Sequence, residues 1–136
     1  MATRKLVPVL ATLVATILLL DAGWAVSARI FGWYRGHAII FVSLTIYIAA
    51  GYFAYECGGR VLSALAGAVV CIVDNTVGTF ITWCILPASV ARTLPSIPDL
   101  AMMLAESVAL ALVLGLIGGF LAATRHQWQE RRRSTI

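Results

Sequence analysis

Charged residues are scarce in this sequence, and their scarcity excludes an ordinary soluble domain. Asp, Glu, Lys and Arg together make up 12% of the 136 residues, whereas 61% are hydrophobic. Soluble domains are roughly half apolar and about one quarter charged. A small soluble chain could not bury this much apolar surface, because small domains leave a large share of their surface in water. We therefore expect residues 1–136 to form one all-α domain in a membrane.

Cysteine and histidine are also too few to indicate a metal centre or a disulfide framework. The sequence has an odd number of cysteines, Cys57, Cys71 and Cys84. They are widely spaced and form no C-x-x-C or Cys/His cluster. No Ser-His-Asp set, paired-carboxylate active site or glycine-rich phosphate loop can be assembled from the sequence. We therefore expect no metal, no cofactor and no enzymatic activity.

Four apolar stretches dominate the chain, and each is near the ~20 residues needed to cross a bilayer. They cover about residues 6–26, 37–55, 61–86 and 100–124. Continuous apolar runs without a period-two alternation predict helices rather than barrel strands. The connection at Gly58-Gly59 is so short that the second and third helices must form an antiparallel hairpin. The predicted fold is an integral membrane four-helix bundle with antiparallel, up-and-down helices.

The remaining segments are predicted as loops, turns and a tail. Residues 27–36 read as a polar, aromatic loop, and Pro87 is expected to end the third helix. Residues 95–99 indicate a turn into the fourth helix, with Ser96 or Asp99 as its N-cap. The basic segment 125–136 is predicted as a cytoplasmic tail that is frayed from His126 onward.

The basic residues indicate an orientation for the helices. The net charge is +4, and the Lys and Arg residues flank the apolar runs, which favours contacts with anionic lipid headgroups over nucleic acid binding. One side of the membrane would receive Arg4, Lys5, Arg60, Arg125, Arg131, Arg132 and Arg133, and the other only Arg29, Arg35 and Arg92. The positive-inside rule predicts that the richer side, with both termini, is cytoplasmic, in the inner membrane of the cell.

The N-terminal stretch also has a second interpretation. Arg4-Lys5, an apolar core up to Leu20 and then Val26-Ser27-Ala28 follow the layout of a secretory signal with a cleavage site. The sequence leaves open whether the first helix stays in the mature protein or is removed. The predicted arrangement of the other three helices is the same in both cases.

Small residues indicate which helix faces contact other helices. In membranes, small side chains let helix backbones approach closely. On the third helix, one face carries Ser63, Gly67, Cys71, Asp74, Asn75, Gly78 and Thr82. The fourth helix has a four-residue spacing of Ser107, Ala111, Gly115, Gly119 and Ala123, including one G-x-x-x-G motif. We expect these faces to pack against protein, and Gly115 and Gly119 to mediate self-association.

Asp74 is the residue most indicative of a function. It lies about 13 residues from the cytoplasmic end of its helix, which places it ~20 Å deep at 1.5 Å per residue. An acid in hydrocarbon costs a few kcal/mol, so it requires a partner, a proton or a use. One hypothesis is a proton or cation site that includes the neighbouring Asn75. The other is a structural hydrogen bond that holds helices together.

Two further acids lie at a similar predicted height. Asp21 is ~22 Å from the inner side by the same helical rise, and Glu106 is near the outer end of the fourth helix. Together with Asp74 they would line a vestibule for a proton or a cation. The simpler interpretation is a set of rim salt bridges, with Asp21 bound to Arg29 or Arg35 and Glu106 to Arg92.

One segment of the predicted third helix resembles a segment of other membrane proteins. The segment from Gly67-Ala68 through Asp74-Asn75-Thr76-Val77-Gly78-Thr79-Phe80-Ile81-Thr82-Trp83 resembles one helix of small uncharacterised bacterial multi-pass membrane proteins. In those proteins, a glycine- and alanine-rich helix leads into Asp-x-Thr-x-Gly and a Trp before a proline-bearing loop, which here is at Pro87. The resemblance implies a four-helix bacterial membrane protein. Small multidrug transporters share the size and helix count but are built around a Glu in the first helix, where this chain has Asp21.

Two functions remain open from the sequence. The first is a membrane protein without enzymatic activity that packs with a second copy of itself or with another membrane protein. The second is a small transporter or channel coupled to protons or cations, with Asp74 at its centre. Water access to Asp74 separates them, because a transport site needs it and a structural hydrogen bond does not.

Overall fold

Almost all residues that the structure describes are helical. A computed structural model describes residues 3–32, 37–86 and 97–133. These contain α1 (Thr3–Phe31), α2 (His37–Val73), a π-helical turn (Asp74–Gly78), α3 (Thr79–Ile85) and α4 (Ile97–Arg133). Three helical stretches of the described chain are long and apolar enough to cross a membrane, namely Leu6–Phe31, Ile40–Ile85 and Pro98–Arg133. The predictions of an all-α fold and of membrane-spanning helices are confirmed at this level.

A break at two glycines divides α2 into two arms. Gly58 (φ −162°, ψ 18°) and Gly59 (φ 72°, ψ −157°) leave the helical conformation, and the positive φ of Gly59 is one that glycine adopts without strain. Across this break, the Ser63 hydroxyl donates a 2.6 Å hydrogen bond to the carbonyl of Gly51. A straight helix would hold these residues ~18 Å apart. The first arm (residues 37–57) and the second arm (residues 60–73) therefore lie side by side.

The first helix extends beyond its predicted end. The loop expected at residues 27–36 is helical as far as Phe31. The Ser27 hydroxyl donates to the carbonyl of Gly23 at 2.8 Å, so this polar side chain bonds within the helix. The helix ends at Gly32, which has a φ of 69° and donates its N–H to the carbonyl of Ala28 at 2.8 Å. A glycine in this left-handed conformation is a common helix C-terminal cap.

The fourth helix is also longer than predicted, so the expectation of a frayed tail from His126 is wrong up to Arg133. Residues 125–133 contain no proline or glycine and are rich in residues that favour helices. Arg132 lies over the ring of Trp128, 5.3 Å from its centroid. At the other end, α4 begins at Ile97, so Asp99 lies in the first turn and is not an N-cap. Ser96, Pro87, Arg35 and Arg92 lie outside the described residues.

The interior is built from small side chains, whereas large apolar side chains point outward. Ala50, Ala54 and Ala111 are fully buried in the core. By contrast, Leu19, Phe41 and Val61 are each more than two thirds exposed. A protein in water does not expose this many large apolar side chains, because each would gain free energy on leaving water. The distribution is that of a helix bundle whose outer surface contacts lipid tails.

Polar contacts define the two ends of the bundle. At one end, the Arg125 guanidinium donates to the Tyr52 hydroxyl at 2.6 Å, and His126 lies 3.9 Å from the Glu56 carboxylate. These contacts place the polar part of α4 beside the Gly58–Gly59 turn. At the other end, Arg29 of α1 donates to the carbonyl of Ile85 at 3.0 Å, so the end of α1 is joined to the end of α3.

Candidate functional site

A π-helical turn, which the sequence does not signal, begins at Asp74. The backbone N–H of Thr79 donates to the carbonyl of Asp74, five residues earlier. The side chain of Asn75 donates to the carbonyl of Cys71 at 2.9 Å, and Thr76 donates to the carbonyl of Ile72 at 2.6 Å. These bonds satisfy carbonyls near the widened turn. Single π-turns within α-helices are frequent at functional sites, and this one carries the acid singled out from the sequence.

Tyr47 is the hydrogen-bond donor of Asp74. Its hydroxyl donates to Oδ2 of the Asp74 carboxyl group, and its side chain is 5% exposed. Tyr47 lies on the first arm of α2, and the two residues meet because the chain reverses at Gly58–Gly59. Tyr47 was not among the residues predicted for the site. The sequence does contain a signal for this contact, because residues at similar distances from a hairpin turn lie side by side on its two arms.

Asp21 reaches the same place from α1, and Gly78 makes room for it. A Cβ atom at Gly78 would collide with Oδ2 of Asp21 and would lie 3.3 Å from Oδ1 of Asp74. The two carboxyl groups therefore converge over a position that has no side chain. Oδ2 of Asp21 and Oδ1 of Asp74 both lie within 3.3 Å of that position. The small residue that the sequence indicated for helix packing thus provides the space in which two acids meet.

One oxygen of this pair has no donor. Oδ2 of Asp21 is buried and has no hydrogen-bond partner among the described residues. An ionised Asp74 cannot supply one, because a carboxylate only accepts hydrogen bonds. A buried acceptor without a donor costs about 1–3 kcal/mol. A proton on either carboxyl group would supply the missing donor and would also remove the repulsion between two like charges. The arrangement is therefore suited to holding a proton.

Two cavities meet at the acids. The larger one, of about 340 Å³, is lined by Asp21, Ile40, Ser43, Leu44, Tyr47, Asp74, Asn75, Ser107 and Leu110. The smaller one, of about 150 Å³, is lined by Asp21, Asp74, Asn75, Gly78, Thr79 and Thr82. Both volumes exceed the ~30 Å³ that one water molecule occupies in the liquid. The two carboxyl groups and the Asn75 amide thus form a wall that the two cavities share.

The predicted vestibule of three acids is corrected to a pair. Glu106 is exposed and lines neither cavity. The expected salt bridge between Asp21 and Arg29 is also corrected, because Arg29 donates to the carbonyl of Ile85 instead. The misassignment has a physical cause: the depth of a residue follows from the helical rise, but the direction of its side chain depends on how its helix packs. Only Asp21 and Asp74 of the three candidates come together.

Three of the small residues predicted for helix packing, Ser63, Gly67 and Gly115, lie between α2 and α4. The buried Ser63 hydroxyl donates to the carbonyls of Gly51 and Gly115, at 2.6 and 3.0 Å. A Cβ atom at Gly67 would lie 2.5 Å from the carbonyl oxygen of Ala111, and one at Gly115 would lie 2.5 Å from that of Ser63. Backbones in this region are therefore in direct contact.

Gly115 and Gly119, the residues expected to mediate self-association, make contacts within the chain. Gly119 lies against the side chains of Ser63 and Tyr55 of the same chain, so the four-residue stripe is already covered. Gly118 and Ala122, which were not predicted for packing, are buried on the same side of α4, while Ser107 lines the larger cavity. The contact face of α4 is therefore wider than the stripe.

The site offers oxygen atoms and no sulfur-rich or histidine-rich metal centre. Within the described residues, no group of three or more His, Cys, Asp or Glu side chains is placed to hold a metal ion. The polar groups that line the cavities are carboxyl, hydroxyl and amide groups, which suit protons and hard cations. Comparison with known proteins adds nothing to this geometry, since no family model, no curated protein and no solved structure matches the chain.

Proposed function

We propose that this chain is a small multi-pass membrane protein that moves protons, or a small cation in exchange for protons, through the Asp21–Asp74 site. The observation that carries the proposal is the meeting of two acids from different helices beside Gly78, at a wall shared by two cavities. Each acid costs about 2.5–3.5 kcal/mol at the centre of a membrane helix on insertion scales. A structural hydrogen bond between helices needs only one such group and a neutral partner, so two adjacent acids favour a site that titrates.

The proposed topology has four membrane spans, with antiparallel helices and both termini in the cytoplasm. The apolar stretch Ile40–Ile85 contains 46 residues, which would be ~69 Å long as a straight helix, against ~30 Å of hydrocarbon. The reversal at Gly58–Gly59 supports dividing it into two spans. The contacts of Arg125 with Tyr52 and of His126 with Glu56 support placing the basic end of α4 beside that turn.

The proposed location is the cytoplasmic membrane of a bacterium. The resemblance of residues 67–83 to bacterial multi-pass proteins supports it, as does the concentration of arginines at the turn end of the bundle. In this proposal α1 remains in the working protein. The retention of α1 is supported by the full burial of its residues Ile17 and Ala25. It is also supported by Asp21 of α1, which forms one half of the site.

The alternative is a membrane protein that only packs, with itself or with another membrane protein, and transports nothing. In that case Asp74 and Tyr47 would form a structural hydrogen bond. A partner would have to bind a surface other than the stripe around Gly115, which is covered within the chain. The two functions differ in what they require of Asp74: transport requires that it titrates, whereas packing requires only that it forms hydrogen bonds.

Proton flux into proteoliposomes separates the two functions. Asn has nearly the shape of a protonated Asp and forms similar hydrogen bonds but cannot titrate, so Asp74→Asn should fold normally and lose flux. Glu106→Gln is the matched control, because Glu106 is an exposed acid that lines neither cavity, and it should retain wild-type flux. Wild-type flux no faster than that of empty liposomes, or unchanged flux in a folded Asp74→Asn variant, would reject the transport proposal.

A further inference from the structure

We infer that Asp21 and Asp74 work as a single proton-sharing pair, and that Gly78 is the residue that positions them to do so. The inference deepens the proposed function and rests on it for the place of the pair in transport. Gly78 lies beside both carboxyl groups, and its lack of a side chain leaves room for them. It holds no proton and forms no side-chain hydrogen bond, so its contribution is purely geometric.

The oxygen atoms of the two acids lie on either side of the Tyr47 hydrogen bond and the Gly78 position. Oδ2 of Asp74 accepts the hydrogen bond from Tyr47. Its other oxygen, Oδ1, lies 3.3 Å from the position of a Cβ atom at Gly78, with which Asp21 Oδ2 would collide. Asp21 Oδ2 is also the buried oxygen that has no donor among the described residues. A proton between the two carboxyl groups would therefore complete a hydrogen-bonded sequence from Tyr47 through Asp74 to Asp21.

Among the described residues, no basic group lines the cavities at the two carboxyl groups. On α2, the titratable neighbours of Asp74 are Tyr47 and the thiol of Cys71. The π-turn and α3 provide the hydroxyls of Thr79 and Thr82, and α4 provides Ser107 and Leu110. The part of each cavity lining that the structure describes contains hydroxyl, amide and apolar side chains beside the two acids, and no Lys, Arg or His. A proton shared by the two carboxyl groups would therefore reduce the negative charge of the pair from two to one. A monovalent cation in its place would do the same.

Proton transfer between the two carboxyl groups leaves the net charge of the pair unchanged. As an O–H bond to Asp21 breaks, an O–H bond to Asp74 forms, and the pair keeps one negative charge throughout. Each acid lines both cavities, so a proton that arrives at one carboxyl group is passed to the other without leaving the site. A second proton neutralises the pair, and loss of the shared proton leaves two charges that only an incoming cation offsets.

The titration of the two carboxyl groups tests this sharing without any measurement of transport. Protein in lipid nanodiscs is titrated while infrared absorption of protonated carboxyl groups is recorded, and Asp→Asn variants assign the signals. Two groups that share a proton titrate in two steps that belong to the pair and lie more than about one pH unit apart. We expect two such steps in the wild type, and in Asp21→Asn a single step at a pH between them.

Gly78→Ala tests the positioning role, because it adds one methyl group and changes no titratable residue. The new Cβ must displace Asp21, so the two steps should move closer together. Gly23→Ala is the matched control. Gly23 lies on α1, and a Cβ atom added there would have nothing within 4 Å, so this variant should titrate like the wild type. Unchanged steps in a folded Gly78→Ala variant would overturn the positioning role.

The sharing of the proton is still tested if Gly78→Ala does not fold. In that case the single step of Asp21→Asn decides: if it coincides with one of the two wild-type steps, the carboxyl groups titrate independently and the sharing is rejected. Titration and flux together also distinguish the shared proton from transport. Coupled titration without flux would reject transport alone, whereas flux with independent titration would reject the shared proton alone.

Discussion

Tyr47 and Asp74 are separated by 27 positions in the sequence, yet the tyrosine hydroxyl donates directly to the aspartate carboxyl group. The contact joins the first arm of α2 to the π-turn; Tyr47 lines the larger cavity, and Asp74 lines both cavities. Two roles follow for Tyr47, because the same bond both ties two helices together and orients one carboxyl oxygen of Asp74 away from Asp21.

Tyr47→Phe should therefore affect both stability and flux. The variant keeps the buried ring and removes only the hydrogen bond, which in membrane proteins is worth about 0.6 kcal/mol on average and up to about 2 kcal/mol. We expect the thermal midpoint in detergent to fall by a few degrees and proton flux to fall several-fold, less than in Asp74→Asn. Tyr55→Phe, on the same arm, is the control. Equal flux in Tyr47→Phe and the wild type would show that this hydroxyl does not orient the site.

The contact between Gly115 and Ser63 predicts that larger residues on the α4 stripe damage the monomer. Gly115→Ile with Gly119→Ile would force side chains into backbone and into Ser63, and overpacking of this kind typically costs about 1–3 kcal/mol per site. The thermal midpoint of the purified monomer should drop by several degrees. Val113→Ile, on an exposed position of the same helix, should leave it unchanged. Loss of an oligomer with an unchanged monomer midpoint would instead assign the stripe to self-association.

The proposed topology predicts the side of the membrane on which each connection lies. Reporter fusions at Arg60 and at Ile136 should both give a cytoplasmic signal, and a fusion near Arg92 should give an external one, because arginines concentrate at the turn end of the bundle. An external signal at Ile136 would contradict four spans.

The helices could be predicted from the sequence because the signal is local. An apolar run of sufficient length specifies a membrane helix wherever its neighbours lie, and the scarcity of charge around Asp74 made that acid conspicuous. The ends of α1 and α4 were misjudged for a related reason. Polar residues after an apolar run were interpreted as loop, although Ser27 and the segment after Arg125 continue the helix through their own hydrogen bonds and helix propensity.

The pairing of Asp21 with Asp74 could not be predicted, because it depends on tertiary structure. The helical rise gave similar depths for both acids, but the rotation of α1 about its axis is set by packing. The π-turn also changes the direction of every side chain after Asp74, so a regular helical wheel places Gly78 only approximately. Tyr47 was overlooked because an aromatic residue in an apolar helix is most often a packing residue.

The most direct test of the central claim is the proton flux of a double-mutant cycle on the two acids. Wild type, Asp21→Asn, Asp74→Asn and the double variant are reconstituted at equal protein density, with circular dichroism to verify folding. If protons pass through one site that needs both carboxyl groups, each single variant should lose most of the flux and the double variant should lose no more, because residues that act as a unit are not additive. Wild-type flux in a folded Asp21→Asn variant would contradict the account.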